Sequence, residues 1–182
     1  RIRVKDVARV EIAARDYSIE PRVNGRPATL IAVYQQPGAN AIAVRDPHVH
    51  WNGSKAVFSM VIGAPPQQFQ VLSFRWQLYE VTGLGQGQQA IITLVPNQPS
   101  QFNNVNPAYL SDGSIVFASD RPRNGALHLY PQHDEYESTA TVTGLWRLDP
   151  ATGALKLLDH SPSGDFDPLV DSFGRLLFTR WD

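Results

Sequence analysis

The sequence contains no cysteine among its 182 residues. Disulfides, thiolate metal sites, iron–sulfur clusters and thiol nucleophiles are therefore excluded, and the absence is compatible with either the cytosol or the periplasm. Charge is also scarce, because 18% of the residues are charged and the net charge is −1. We therefore expect no nucleic acid or anionic membrane as a partner. No run of about 18 consecutive apolar residues occurs, so we expect no membrane-spanning helix.

The first 44 residues lack phenylalanine, tryptophan and histidine, whereas all eight Phe, four Trp and five His follow them. This segment contains seven Lys or Arg and four Asp or Glu, a net +3, and the remainder has a net −4. The asymmetry predicts two units of different origin, residues 1–44 and residues 45–182. The chain begins without Met and stops directly after an apolar run, so we expect a fragment of a longer protein.

A motif that occurs three times organises residues 45–182. In each copy an Asp or Asn precedes a Pro, a Gly follows six residues after the Pro, and a short apolar run ends in Phe. The prolines, 60 and 61 residues apart, are Pro47, Pro107 and Pro168, and the phenylalanines are Phe58, Phe117 and Phe178. A fixed period of this length indicates a repeat architecture, which usually serves as a binding scaffold.

Each copy predicts a hairpin, because Asn52-Gly53 and Asp112-Gly113 stand between apolar runs and Phe173-Gly174 takes the same place in the third. The first two copies each add two more strands, at residues 76–81 and 90–94, and at 145–148 and 154–158. Four antiparallel strands are a β-propeller blade. We predict an all-β fold, a partial β-propeller of about two and a half blades that start near residues 46, 106 and 167. No helix is expected in residues 45–182.

Residues 1–44, which we call the N-terminal segment, are predicted to be a short β-rich segment with a turn at Asn24-Gly25. Four stretches of it resemble, in order, one part of the RND multidrug-efflux permeases: RVKDVARVE at 3–11, DYS at 16–18, NGRPA at 24–28 and YQQPGANA at 34–41. In that family this part leads from the periplasmic docking domain into a porter subdomain. The resemblance, over residues 1–43, covers none of the transmembrane helices that hold the family's proton-relay residues. It therefore implies a piece of periplasmic wall rather than a working pump.

The repeat resembles TolB-type, WD40-like propeller blades through NPAYLSDGSIVFASDR at 106–121 and LWRLD at 145–149. The stretches DPHV at 46–49 and FTRWD at 178–182 are similar to propeller proteins related to the hydrazine synthase alpha subunit. The resemblance implies a propeller fold over residues 45–182. It implies no haem or hydrazine chemistry, because a chain without cysteine cannot hold the haem-attachment pattern of those relatives.

Two histidines are the first candidate metal ligands. His48 and His50 are two positions apart, so a strand would present both imidazoles on one face. The alternative is a polar blade face, and no second ligand pair stands nearby in sequence. The four tryptophans are expected to pack between blades, and the alternative is that one of them lines a ligand surface.

Acidic and histidine side chains supply the other candidate ligands. A long insertion at residues 120–143 contains ligand-type side chains and could bind a cation or simply be a solvated loop. Asp165 and Asp167 flank Phe166 in a predicted turn and could bind Ca²⁺ or cap the turn. The candidates within the insertion are His128, His133, Asp134, Glu135 and Glu137.

The main functional prediction is a non-catalytic propeller scaffold of the periplasm or cell envelope, with a protein partner or a small-molecule ligand. One alternative is an enzyme whose propeller carries a divalent metal or another cofactor, although no cofactor is predicted from the residues themselves. The other alternative is a periplasmic fragment of an RND efflux transporter. The sequence alone names no substrate.

Overall fold

The computed structural model describes residues 42–63, 74–121, 143–161 and 164–181, together with residues 8–11, 22–23, 26–27 and 32–35. Every regular secondary-structure element within these residues is a β-strand, which confirms the predicted all-β class. The described residues contain no helix that is long and apolar enough to cross a membrane. The strands are β1 (Ala8–Glu11), β2 (Arg22–Val23), β3 (Arg26–Pro27), β4 (Ala32–Gln35), β5 (Ile42–Val49), β6 (Lys55–Ile62), β7 (Gln77–Thr82), β8 (Ile91–Leu94), β9 (Asn104–Tyr109), β10 (Ile115–Ser119), β11 (Gly144–Leu148), β12 (Leu155–Leu157), β13 (Gly164–Val170) and β14 (Leu176–Trp181).

The repeat forms two four-stranded antiparallel sheets and a hairpin. Strands β5 to β8 make the first unit and strands β9 to β12 make the second, each with neighbours in chain order. Strands β13 and β14 make the third hairpin. The predicted four-stranded antiparallel units are therefore confirmed.

The repeated Asp-Pro or Asn-Pro pair produces the same β-bulge in all three copies. Each pair stands opposite a single phenylalanine of the next strand, namely Phe58, Phe117 or Phe178. The residue before each proline has a positive φ, of 55° at Asp46, 51° at Asn106 and 50° at Asp167. Asp and Asn adopt this region more readily than other non-glycine residues, and proline has no N–H to leave unpaired at a bulge. These two properties explain why the pair recurs.

The bulges also change where the strands begin. Strands β5, β9 and β13 start two to four residues before the Asp or Asn, so each proline lies inside its strand. Asp165 and Asp167, predicted to lie in a turn, are both within β13. A bulge accommodates proline inside a strand because one of its residues is left out of the ladder. Strand β5 also runs through residue 44, where the composition changes.

The first and second units share one hydrophobic core. Its residues alternate with others on the opposite face, because successive side chains of a strand point to opposite sides. Each fully buried large apolar side chain contributes about 1.5–3 kcal/mol to folding. The shared cluster consists of Val57, Leu78, Val95, Tyr109, Ile115, Phe117, Trp146 and Leu148. A second cluster on the other face of the first sheet contains Ala56, Phe58, Met60, Val81 and Ile92.

The tryptophans do not share one environment, and packing between blades does not hold for each of them. Trp146 lies in the core between the two sheets. Trp51 is exposed, because it lies in the turn after β5, where its ring contacts that of His50. Trp76 is half-buried with the Arg45 guanidinium 5.6 Å from its ring centroid. The side chain of Trp181 lies outside the described part of the chain.

The N-terminal segment contains two short antiparallel pairs. Strand β1 pairs with β4, and β2 pairs with β3 so that Val23 faces Arg26. The predicted turn at Asn24-Gly25 lies outside the described residues.

Candidate functional site

His48 and His50 both lie against Tyr109, where β5 of the first unit meets β9 of the second. Their ring centroids are 5.9 and 5.0 Å from that of Tyr109. The backbone N–H of Tyr109 donates to His48 Nδ1 at 3.4 Å. Burial, and then the nearby His50, lowers the pKa of His48 below its usual 6.5. A neutral His48 can act as the acceptor of this bond at pH 7.

The described residues contain no group of three or more His, Asp or Glu that could hold a metal ion. His48 and His50 are therefore a pair without a third ligand within those residues. His128, His133, Asp134, Glu135 and Glu137 lie outside them, so the metal hypothesis for the insertion stays a prediction.

Asp165 and Asp167 have different surroundings despite their close spacing. The Asp165 side chain is fully buried. Asp167 instead faces the second unit, where its Oδ1 accepts a hydrogen bond from Asn106 Nδ2 at 2.7 Å. Their proposed role as a Ca²⁺ pair stays a prediction.

The three bulges are joined by a polar network. Asp46 Oδ2 accepts the backbone N–H of Asn106 at 3.2 Å, and the Asn106 amide donates in turn to Asp167. Arg45 Nε lies 2.6 Å from Asp46 Oδ2 and balances its charge. We call the Asp46–Asn106–Asp167 series the bulge network. It places the same position of all three copies side by side.

A second polar group surrounds the Tyr109 hydroxyl. That hydroxyl donates to Glu80 Oε2 at 2.8 Å, and Lys55 Nζ lies 2.7 Å from the same oxygen. The Lys55 ammonium is also 5.0 Å from the centroid of the Tyr109 ring. Burial, and then the hydrogen bond and negative charge of Glu80, raise the pKa of Tyr109 well above its ordinary value. Tyr109 therefore stays a neutral donor at physiological pH.

The turn between β9 and β10 presents a third polar group. Asp112 accepts from the Ser114 hydroxyl and the Ser114 backbone N–H, and these bonds, with the Arg147 charge, lower the pKa of its carboxyl. Arg147 Nε donates to Ser114 Oγ at 2.8 Å, and its guanidinium forms an ion pair with Asp112. The turn geometry is thus fixed by charge-assisted bonds.

A cleft of about 560 Å³ lies between the first unit and the turn end of the second, and members of the second and third polar groups line it. Its charged residues are paired or bonded locally rather than aimed at a shared point. Such a set offers hydrogen-bonding atoms beside an apolar wall, which suits recognition of a polar ligand better than nucleophilic catalysis. The lining residues are Lys55, Glu80, Thr93, Val95, Pro96, Asp112, Gly113, Ser114, Ile115, Arg147, Asp149, Pro150 and Ala151.

The sequence did not predict this cleft. Glu80 was assigned only to a strand, although it lies on the same strand face as the buried Leu78. A charged side chain on a buried strand face needs a partner. The position of Glu80 in the strand pattern was therefore the one indication in the sequence of a polar group at this place. The partners Lys55 and Tyr109 are 25 and 29 residues away, so spacing alone could not identify them.

The N-terminal segment matches the model of the AcrB/AcrD/AcrF family over residues 1–48. The chain is similar to Multidrug resistance protein MdtF of Escherichia coli strain K12, with 50% identity over 42 residues, which are 23% of this chain and 4% of that protein. It is also similar to Multidrug export protein AcrF of the same strain, with 44% identity over 41 residues, 22% of this chain and 4% of the relative.

The predicted resemblance of the N-terminal segment to RND permeases is confirmed by these matches. The chain spans about 4% of the length of the curated relatives it matches. The family model matches residues 1–48, and the resemblance of the repeat to propeller families stays a prediction.

Proposed function

We propose that this protein acts in the bacterial cell envelope. Residues 1–48 would serve there as a structural segment like the one in the periplasmic docking and porter region of RND efflux permeases. The observation that carries the proposal is the 50% identity to MdtF over 42 residues. The antiparallel pairing of β1 with β4 and of β2 with β3 supports it, because the segment has the β-rich character expected of such a wall. The proposed role of this stretch is structural.

A segment exchange tests this role. The matched 42-residue stretch of MdtF is replaced by that of this chain, and the chimera is expressed in an efflux-deficient strain. We expect resistance to an efflux substrate within a few-fold of that given by unaltered MdtF. A control chimera with Asn24→Ala and Gly25→Ala should lose resistance, because these substitutions remove the residues that the predicted two-residue turn requires. A chimera that reaches the membrane in normal amount but gives no resistance would contradict the proposal.

The second candidate function concerns the repeat. We infer that residues 45–182 are a propeller-type binding scaffold rather than a catalytic unit. The repeated bulge and the packing of β9 against β5 and β13 support this inference, because the first strands of successive propeller blades lie side by side. The cleft between the units supplies a site for a protein or small-molecule ligand. Its paired charges favour binding over catalysis.

Elemental analysis separates the scaffold from a metal enzyme. The full chain is purified without metal chelators and its metal content is compared with that of a His48→Gln/His50→Gln variant. We expect less than about 0.1 equivalents of any transition metal in both proteins, since a structural site would hold one ion per chain. One equivalent of metal in the parent protein would overturn the scaffold hypothesis, and its loss in the variant would locate the site.

A further inference from the structure

The outer strands of the first and second units differ in how their edges are protected. Strands β8 and β12 are each the last strand of a four-stranded sheet, and no strand of the described residues pairs with their outer sides. Lys156 occupies in β12 the position of Thr93 in β8, because both lie in line with the residue before the bulge phenylalanine. A lysine on an edge strand hinders its pairing with another chain. Strand β12 has this protection in the exposed Lys156, whereas β8 has the sequence Ile-Ile-Thr-Leu, without charge or proline.

Strand β8 presents both backbone groups and aliphatic side chains at its edge. The backbone N–H of Val95 donates to the Leu78 carbonyl of β7 at 3.0 Å. Backbone groups of an antiparallel strand point alternately to either side, so those of Ile92 and Leu94 point away from β7. Ile91 is 56% exposed and Leu94 is 53% exposed. Because β8 is followed in the chain by the whole second unit, this edge does not arise at an end of the sequence.

The cleft between the units adjoins the edge of β8. Thr93 lines the cleft, and the chain continues from β8 into the lining residues Val95 and Pro96. Side chains alternate along a strand, so Thr93 points to the cleft side of the sheet and Leu94 to the other side. A strand added beside β8 would lie about 4.8 Å away and would direct every second side chain toward the cleft.

The charges of the cleft indicate which side chain suits it. Its lining contains three carboxylates and two cations, namely Glu80, Asp112, Asp149, Lys55 and Arg147. Both cations form an ion pair, with Glu80 and with Asp112 respectively. Asp149 accepts hydrogen bonds from its own turn and has no ion-pair partner in the described part of the chain. The remaining carboxylate favours a ligand with a positive charge.

We propose that an extended, basic peptide segment of another protein binds as a fifth strand beside β8. The inference rests on the proposed scaffold function of the repeat and names the kind of partner. The peptide backbone pairs with that of Ile92 and Leu94, and a lysine or arginine side chain enters the cleft toward Asp149. In this mode main-chain hydrogen bonds supply affinity and pockets for alternate side chains supply specificity. A second copy of β8 fits the edge less well, because its uncharged strand brings no positive charge to the cleft.

A displayed library of random octapeptides is the probe, and the full chain is the bait. Enriched peptides are synthesised and their affinities are measured by calorimetry. We expect them to carry lysine or arginine among alternating β-branched and aromatic residues. Thr93→Lys should weaken their binding roughly 10-fold or more, because it places like charges side by side and gives β8 the protection that β12 has. Phe173→Lys is the matched control, since it adds the same charge to an exposed residue of the third hairpin, and it should leave binding unchanged.

The carboxylate at the cleft is tested with the same peptides. Asp149→Asn should weaken their binding about 5-fold, because it removes the charge that attracts the basic side chain. Circular dichroism confirms that each variant is folded.

Three results would overturn the inference. They are the absence of enriched peptides, equal binding to the parent protein and to Thr93→Lys, and self-association of the chain that Thr93→Lys abolishes. The last result would assign the edge to a second copy. Peptides that bind Thr93→Lys unchanged would contact the chain elsewhere, so the scaffold function would stand while the role of β8 would not. The elemental analysis tests the scaffold function separately.

Discussion

The second unit and the third hairpin contain the same motif but bury it to different extents. Both have the bulge, the positive φ before proline and the phenylalanine opposite. Phe117 is fully buried, whereas Phe178 is 38% exposed. The second unit adds β11 and β12, and Trp146 of β11 pairs with Phe117. The comparison shows that the motif determines local geometry, while burial depends on the strands and units beside it.

Truncating the two phenylalanines gives the largest expected difference. Phe117→Ala should lower the free energy of unfolding by about 3–5 kcal/mol, because it leaves a cavity in the shared core. Phe178→Ala should cost less than half as much, since part of the ring already contacts water. Urea unfolding followed by circular dichroism measures both. Equal losses would break the comparison, because they would mean that the third hairpin is as fully packed as the second unit.

Exchanging the amide and carboxylate of the bulge network gives the next largest effect. Asn106→Asp should cost about 1–3 kcal/mol, because it removes the donor to Asp167 and brings like charges together. Asp167→Asn is the matched control, and it should change stability by less than about 0.5 kcal/mol, since its amide oxygen can still accept. Both residues tolerate the positive φ. If the two substitutions cost the same, the network would not join the copies as described.

The sequence determined the class, the four-stranded units and the period of the repeat. Those features depend on local chemistry: Asn-Gly and Asp-Gly turns, strand alternation and the recurring Asp-Pro or Asn-Pro pair. The position of the prolines inside strands was not predicted, because a bulge depends on the register of the neighbouring strand as well as on the chain itself. The register places the phenylalanine that ends each motif opposite the bulge.

The candidate site was less predictable than the fold. Residue type identified His48 and His50 as a pair on one strand face, and the structure places both against Tyr109. The Lys55–Glu80–Tyr109 group combines residues from two units. Contacts of this kind require the packing of one sheet on another, which strand patterns do not specify.

The smallest expected effect concerns protonation at equivalent positions. His48 occupies the position of Ala108 and Leu169. Its pKa is lowered, mainly by burial, so the unfolded chain binds its proton more readily than the folded protein. Stability should therefore decrease as the pH falls below 6.5, and His48→Gln should remove that slope. In a Leu169→His variant, NMR titration should give a pKa near the ordinary value, because position 169 is 53% exposed. A lowered pKa there would indicate that the third hairpin is already covered.

Amide hydrogen exchange tests most directly whether burial of the motif depends on the strands and units beside it. Peptides that contain residues 115–119 and 176–180 are compared in the same protein sample. Strand β14 should exchange at least about ten times faster than β10, because less packing protects it. Equal protection of the two strands would contradict the account.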